Sequence, residues 1–132
     1  MKTYGQHEIF SQDIKEVLKV LKSNFITQGN TVPKFEKKLA QYVNSKYAVA
    51  VNSGTSALHI SCLALGLKKG DWFWTTPISF VASANCGLFC GAKIDFVDID
   101  QQTGNISVDA LNSKLKKAKK IKKLPKILIV VH

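Results

Sequence analysis

The stretch "YAVAVNSGTSALHISCLALGL", residues 47–67, constrains the fold of this chain more than any other. Its first five residues are aromatic, small or β-branched, the composition of a buried strand. "SALHISCLALGL" is rich in helix formers and reaches Gly66, a plausible helix stop. Between the two, Asn52-Ser53-Gly54-Thr55-Ser56 makes an abrupt turn packed with hydroxyls. Gly54 permits close approach of backbone, and Thr55 and Ser56 open a helix whose first N–H groups lack intrahelical partners. Such a turn suits an anion, most simply a phosphate. Capping of the helix by Ser53, Thr55 or Ser56 explains the same residues. The turn alone leaves both readings open.

The flanking sequence places this unit in a larger pattern. "SQDIKEVLKVLKSN" carries Ile14, Val17, Leu18 and Leu21 at helical spacing, with Ser11 or Asp13 as its cap. "FITQGNTV" is a polar connector, and "PKFEKKLAQYVNS" reads as a second helix with Pro33 at its first position. Its apolar stripe is Phe35, Leu39, Tyr42 and Val43. After the central strand and helix come a turn at "KKGDW", a strand around "FWTTP", and a helix over "ISFVASANCGLFCGA" ending at Gly91. "KIDFVDID" is a further strand and "QQTGN" a turn. "SVDALNSKLKKA" is an amphipathic helix with Val108, Leu111 and Leu115 on one face, and "KILIVVH" a final buried strand. Strands and helices alternate from Tyr47 onward, so the expected class is α/β with a mainly parallel sheet and flanking helices. The boundary falls between a helical segment, 1–46, and the α/β portion, 47–132.

Composition narrows the function. At 132 residues the chain is long enough for one domain with a real core. No apolar run is long enough to span a bilayer, and "MKTYGQHEIFSQD" has no apolar signal core, so the expectation is a cytoplasmic protein without membrane association. Cys62, Cys86 and Cys90 all sit in apolar helical contexts, which reads as buried thiols. Cys86 and Cys90 share a helix face, but no further Cys or His stands at zinc-ligand spacing, so no metal site is expected. The net charge is +10 and every basic residue is lysine, eight of them in "KLKKAKKIKKLPK", residues 114–126. A basic tract is compatible with nucleic acid. Without arginine to read guanine or an interleaved aromatic to stack bases, a solvated helix end is the favoured reading and no nucleic-acid partner is expected.

The blocks ITQG, FE, NSGTSAL, GD, TTPISFVASAN, GA and FVDID, in this order and spacing, closely resemble the DegT/DnrJ/StrS sugar aminotransferases across essentially the whole chain. These are enzymes of pyridoxal 5'-phosphate (PLP), with the large domain of fold type I. "PISFVASANC" and "CGAKIDFVDID" look most like the branch that aminates a UDP-linked 4-keto-6-deoxy-N-acetyl sugar on the way to pseudaminic acid, a cell-surface component. The resemblance implies that Gly54, Thr55 and Ser56 hold the PLP phosphate and that Phe80 stacks on the cofactor ring. An ordinary core role for Phe80 is the competing reading, and His59 is expected to be a packing residue.

The resemblance further implies a nucleotide-sugar substrate, an amino donor (glutamate), and a homodimer. The lysine that forms the Schiff base and the aspartate that pairs with the pyridine nitrogen come, in the family, from segments beyond His132. No catalytic residue is therefore assigned within 1–132. The chain is expected to be the N-terminal part of the large domain and inactive by itself. Two alternatives stand beside the aminotransferase: a sugar dehydratase of the same fold, with histidine in place of that lysine, and a basic nucleic-acid-binding module.

Overall fold

The computed structural model describes residues 5–131. It divides into two compact units, Met1–Ala50 and Val51–His132.

The first unit holds α1 (Ser11–Leu21) and α2 (Thr31–Tyr42). The N-cap of α1 is Phe10, so neither Ser11 nor Asp13 is the cap; Asp13, at the third helical position, instead reaches back to accept the Phe10 backbone N–H at 2.8 Å. Helix α2 starts at Thr31, two residues before Pro33; proline is still tolerated there because first-turn N–H groups need no partner. Both helices carry the expected apolar stripes, yet Ile14, Val17, Leu18, Leu21, Phe35, Tyr42 and Val43 are exposed, and Ala40 is the buried residue of α2. The Ala50 N–H donates to the Glu36 carboxylate at 2.8 Å, tying the end of this unit back to α2.

The second unit is a layered α/β arrangement. Its elements are α3 (Gly54–Ala64), β1 (Trp72–Thr75), α4 (Ala82–Phe89), β2 (Lys93–Phe96), α5 (Val108–Lys120) and β3 (Ile127–Leu128). The sheet has strand order β2-β1-β3 and is wholly parallel, with Trp72 opposite Lys93 and Phe73 opposite Ile127. Alternation along β1 sends adjacent residues to opposite faces. Phe73 packs with Cys62 of α3, Cys86 of α4, Leu67, Cys90 and Ala92, whereas Trp74 packs with Val97 and Ala118, against Leu111 and Leu115 of α5. Helices α3 and α4 therefore cover one face and α5 the other.

Gly87 sets the depth of α4 on the sheet: a Cβ there would lie 2.7 Å from both Phe73 and Ile94 side-chain atoms. Gly66 and Gly91, the anticipated stops of α3 and α4, both adopt φ +72°, where a side chain would be strained. All three cysteines are free and buried, as their apolar settings predict.

Three further expectations are corrected. Residues 47–51 form no ladder among the described residues, and Tyr47 and Val49 stay exposed: strand-like composition supplies propensity but not a hydrogen-bond partner. "KILIVVH" contributes only the two paired residues of β3, half-buried because β1 pairs it on one side; His132 lies outside the described residues. Val108 is exposed, and Ala118 joins Leu111 and Leu115 on the packed face of α5 instead.

Candidate functional site

The turn into α3 is organised by three side chains. Ser53 is extended (φ −160°, ψ 158°), and its Oγ accepts the Ser56 backbone N–H at 3.1 Å, the geometry of an N-cap. The Ser53 hydroxyl donates to Ser56 Oγ at 3.0 Å, and Ser56 donates to Asn52 Oδ1 at 2.7 Å. The Ala57 N–H opens the regular helical ladder by donating to the Ser53 carbonyl at 3.0 Å. Two backbone donors are left over. Among the described residues, the Gly54 and Thr55 N–H groups and the Thr55 hydroxyl make no hydrogen bond. A Cβ built on Gly54 meets nothing within 4 Å, so the mouth of the turn is open.

Capping and anion binding thus do not compete for the same groups. Ser53 satisfies Ser56, while three donors at Gly54 and Thr55 stay unengaged among the described residues at the positive end of an 11-residue helix. The structure brings Gly54, Thr55 and Ser56 together in one turn, but it separates their roles: the Ser56 hydroxyl is spent on Asn52, and that of Thr55 is not. Asn52 is the residue that sequence reasoning left without a part; its signal is the i,i+4 spacing to Ser56.

Phe80 lies in the loop between β1 and α4. Phe80 is 75% exposed and belongs to neither core cluster of the described residues. The loop is held from beneath: Ser79 and Ser83 share a hydrogen bond of 2.7 Å, and the Phe80 carbonyl accepts the Ser83 N–H at 2.9 Å. Among the described residues no ring contact joins Phe80 to another aromatic. His59, half-buried on α3, meets the Phe89 ring edge-on at 5.3 Å, as a packing residue should.

Electrostatically the turn carries no ionisable side chain, so its attraction for anions comes from backbone dipoles. The thiols in the core between α3 and α4 are held neutral. Burial, reinforced by Cys86, pushes Cys62 up to about 11, and burial also raises Cys86 and Cys90. Such thiols are poor nucleophiles at neutral pH. Among the described residues no group of three or more metal-ligating side chains comes together. The turn can bind an oxyanion and Phe80 presents an aromatic face; none of these groups is an ionisable acid or base.

Comparison with known proteins gives this geometry a context. The signature of the DegT/DnrJ/EryC1/StrS aminotransferase family matches residues 7–132. The chain is 42% identical over 117 residues to the UDP-4-amino-4,6-dideoxy-N-acetyl-beta-L-altrosamine transaminase of Campylobacter jejuni subsp. jejuni serotype O:23/36 (strain 81-176), covering 89% of this chain and 31% of that one. A DegT DnrJ EryC1 StrS aminotransferase from Brucella abortus superposes with a TM-score of 0.75 at 29% identity, over 89% of this chain and 31% of its own. A GDP-4-keto-6-deoxymannose-3-dehydratase with a trapped PLP-glutamate geminal diamine superposes with a TM-score of 0.71 at 33% identity, over 76% and 28%. The chain spans about a third of the length of these relatives. With the signature running over nearly all of its residues, the chain belongs to the DegT/DnrJ/EryC1/StrS aminotransferase family.

Proposed function

We propose that this chain is part of a PLP-dependent aminotransferase that aminates a UDP-linked 4-keto-6-deoxy amino sugar, with glutamate as amino donor. The observation that supports it best is the set of unengaged donors at Gly54 and Thr55, in a chain of this family. These residues fit the cofactor's phosphate. The Gly54 and Thr55 N–H groups and the Thr55 hydroxyl are free to donate, and the space in front of Gly54 is open. The Asn52–Ser53–Ser56 network fixes the turn, so those donors are oriented before any ligand arrives. Phe80 offers an exposed ring, on a loop braced by Ser79 and Ser83, against which a flat heteroaromatic ring can lie.

PLP, when bound, supplies the electron sink through which an amino group passes between donor and sugar. The residues of this chain bind and orient it, while the amine that would hold it covalently is proposed to lie in the part of the relatives that this chain does not span. The UDP-linked substrate follows the Campylobacter transaminase named above. A homodimer, a cytoplasmic location and a role in pseudaminic acid synthesis for cell-surface polysaccharide belong to the same reading. Among the described residues, no helix is long and apolar enough to cross a membrane.

The test is a reaction with the complete enzyme, glutamate and the UDP-4-keto sugar. Stoichiometric 2-oxoglutarate and 4-amino sugar are expected. Loss of a sugar hydroxyl without transfer of nitrogen would favour the dehydratase, the reading that the GDP-4-keto-6-deoxymannose-3-dehydratase likeness keeps alive.

A further inference from the structure

The basic tract that the proposed function does not use meets both tryptophans of the chain on the α5 face of the sheet. Trp72 begins β1, and Lys93, opposite it in the ladder, places its ammonium 5.8 Å from the centre of the indole. Lys123, just after α5, places its own at 5.4 Å from the same ring. Two residues along β1, Trp74 is buried, with the Lys114 ammonium 5.0 Å from its ring centre. A cleft of about 180 Å³ lies here, lined by both tryptophans, by Asp95 and Lys114, and by Lys117, Ala118, Ile121 and Lys123.

The charges in this cleft do not balance. Asp95 is its sole carboxylate, and it is matched at 2.8 Å by Lys114, which also donates to the Phe96 carbonyl. Lys93, Lys117 and Lys123 have no acidic partner among the described residues. Two unmatched ammoniums on the walls, Lys117 and Lys123, with Lys93 beside the Trp72 ring, raise the local potential and favour an anion. The helix C-terminus accounts for lysines in the last turn of α5, but not for Lys93, which comes from an edge strand.

We propose that this cleft binds a small phosphate-type dianion, either free inorganic phosphate or the terminal phosphate of a small metabolite. Its volume suits a small ligand: about 180 Å³, below the ~300 Å³ at which pockets for larger ligands begin. Nucleic acid fits less well, because Lys93 and Lys123 already stand over the Trp72 ring on which a base would stack. The cleft is distinct from the α3 turn. It lies at the beginning of β1 on the α5 face, whereas α3 covers the opposite face.

Both tryptophans line the cleft, so indole emission of the 132-residue chain reports on it directly. Titration with sodium phosphate should give a saturable change that sodium chloride at matched ionic strength does not. Lys93→Gln, Lys117→Gln and Lys123→Gln should each weaken binding about fivefold, the equivalent of ~1 kcal/mol. Lys119→Gln and Lys120→Gln, on α5 but away from the cleft, should leave the curve in place. An equal response to chloride, a loss of similar size from Lys119→Gln, or a response only to single-stranded DNA would overturn the assignment.

Discussion

Thr55 and Ser56 are adjacent hydroxyls in the same helical turn, and the structure predicts that removing them has opposite consequences. Thr55→Val keeps the side-chain shape and deletes a hydroxyl that is bonded to nothing among the described residues. The cofactor-free protein should therefore melt within a degree or two of the parent. If that hydroxyl donates to the PLP phosphate, its loss removes a hydrogen bond to a charged group. That bond is worth about 1.5–3 kcal/mol, or a roughly 10- to 150-fold weaker Kd. Ser56→Ala deletes a donor to Asn52 and an acceptor for Ser53, both exposed, so the turn should lose about 1 kcal/mol of stability while PLP affinity falls less than about threefold. Phe80→Ala should loosen PLP modestly and slow turnover more, because the cofactor ring loses its fixed plane. The assay is PLP dissociation from the complete enzyme for each variant, paired with the melting temperature of its cofactor-free form. Parental affinity in Thr55→Val, or a greater loss of cofactor from Ser56→Ala, would refute the division of labour in this turn.

Further outcomes follow from the core and the charges. Gly87→Ala should destabilise the chain by up to about 2 kcal/mol by urea denaturation: overpacking against Phe73 and Ile94 costs ~1–3 kcal/mol, and the helix propensity of alanine returns ~1. In native protein at pH 8 none of the three thiols should react with iodoacetamide within minutes; all should react in urea, since each is buried and raised. Acid should destabilise the fold in a defined window. Burial pushes the Asp95 carboxyl up, but the Lys114 hydrogen bond and charge and the Phe96 N–H outweigh it. Asp100 is lowered chiefly by the Thr103 N–H and hydroxyl. Both sit below the usual 3.8, so their stabilisation is complete well above that pH and is lost as the pH falls through it. The urea midpoint should drop below about pH 4, and Asp100→Asn should flatten that drop.

The features legible in the sequence are those that rest on neighbours along the chain. Helical periodicity located α1, α2 and α5, runs of helix-forming and small apolar residues located α3 and α4, and the glycines at 66 and 91 marked two helix ends through their own left-handed backbone. Cys62, Cys86 and Cys90 read as buried because their immediate context is apolar. Features that depend on distant partners were less readable. "YAVAV" has every local property of a strand and forms no ladder, because pairing needs an edge that composition does not encode. Val108 fits the stripe of α5 as well as Leu111 does, yet it stands at the first position of the helix, beyond the cluster under Trp74. The basic tract carries no aromatic of its own, so only the parallel register of β1 with β2 and the return of the chain after α5 reveal Trp72 between Lys93 and Lys123.

The turn at residues 52–56 shows why two readings of one motif can both hold. A helix start leaves several N–H groups without partners, and a single N-cap serline-type oxygen reaches only one or two of them. Ser53 serves Ser56, so Gly54 and Thr55 keep their donors whatever else the residue before the helix does. Hydroxyls at 53 and 56 make the turn rigid, and the lack of a side chain at 54 keeps its mouth open. A sequence selected only to cap α3 needs Ser53 alone; the further cost of ordering Asn52 and Ser56 around it is explained if the free donors must point in one direction. Phe80 follows the same reasoning from the other side. A phenylalanine left 75% exposed on a braced loop contributes little to the packing of this chain, so its ring is available to a flat partner. An anion at one end and a flat ring at the other are the two features by which a phosphorylated heteroaromatic cofactor is held.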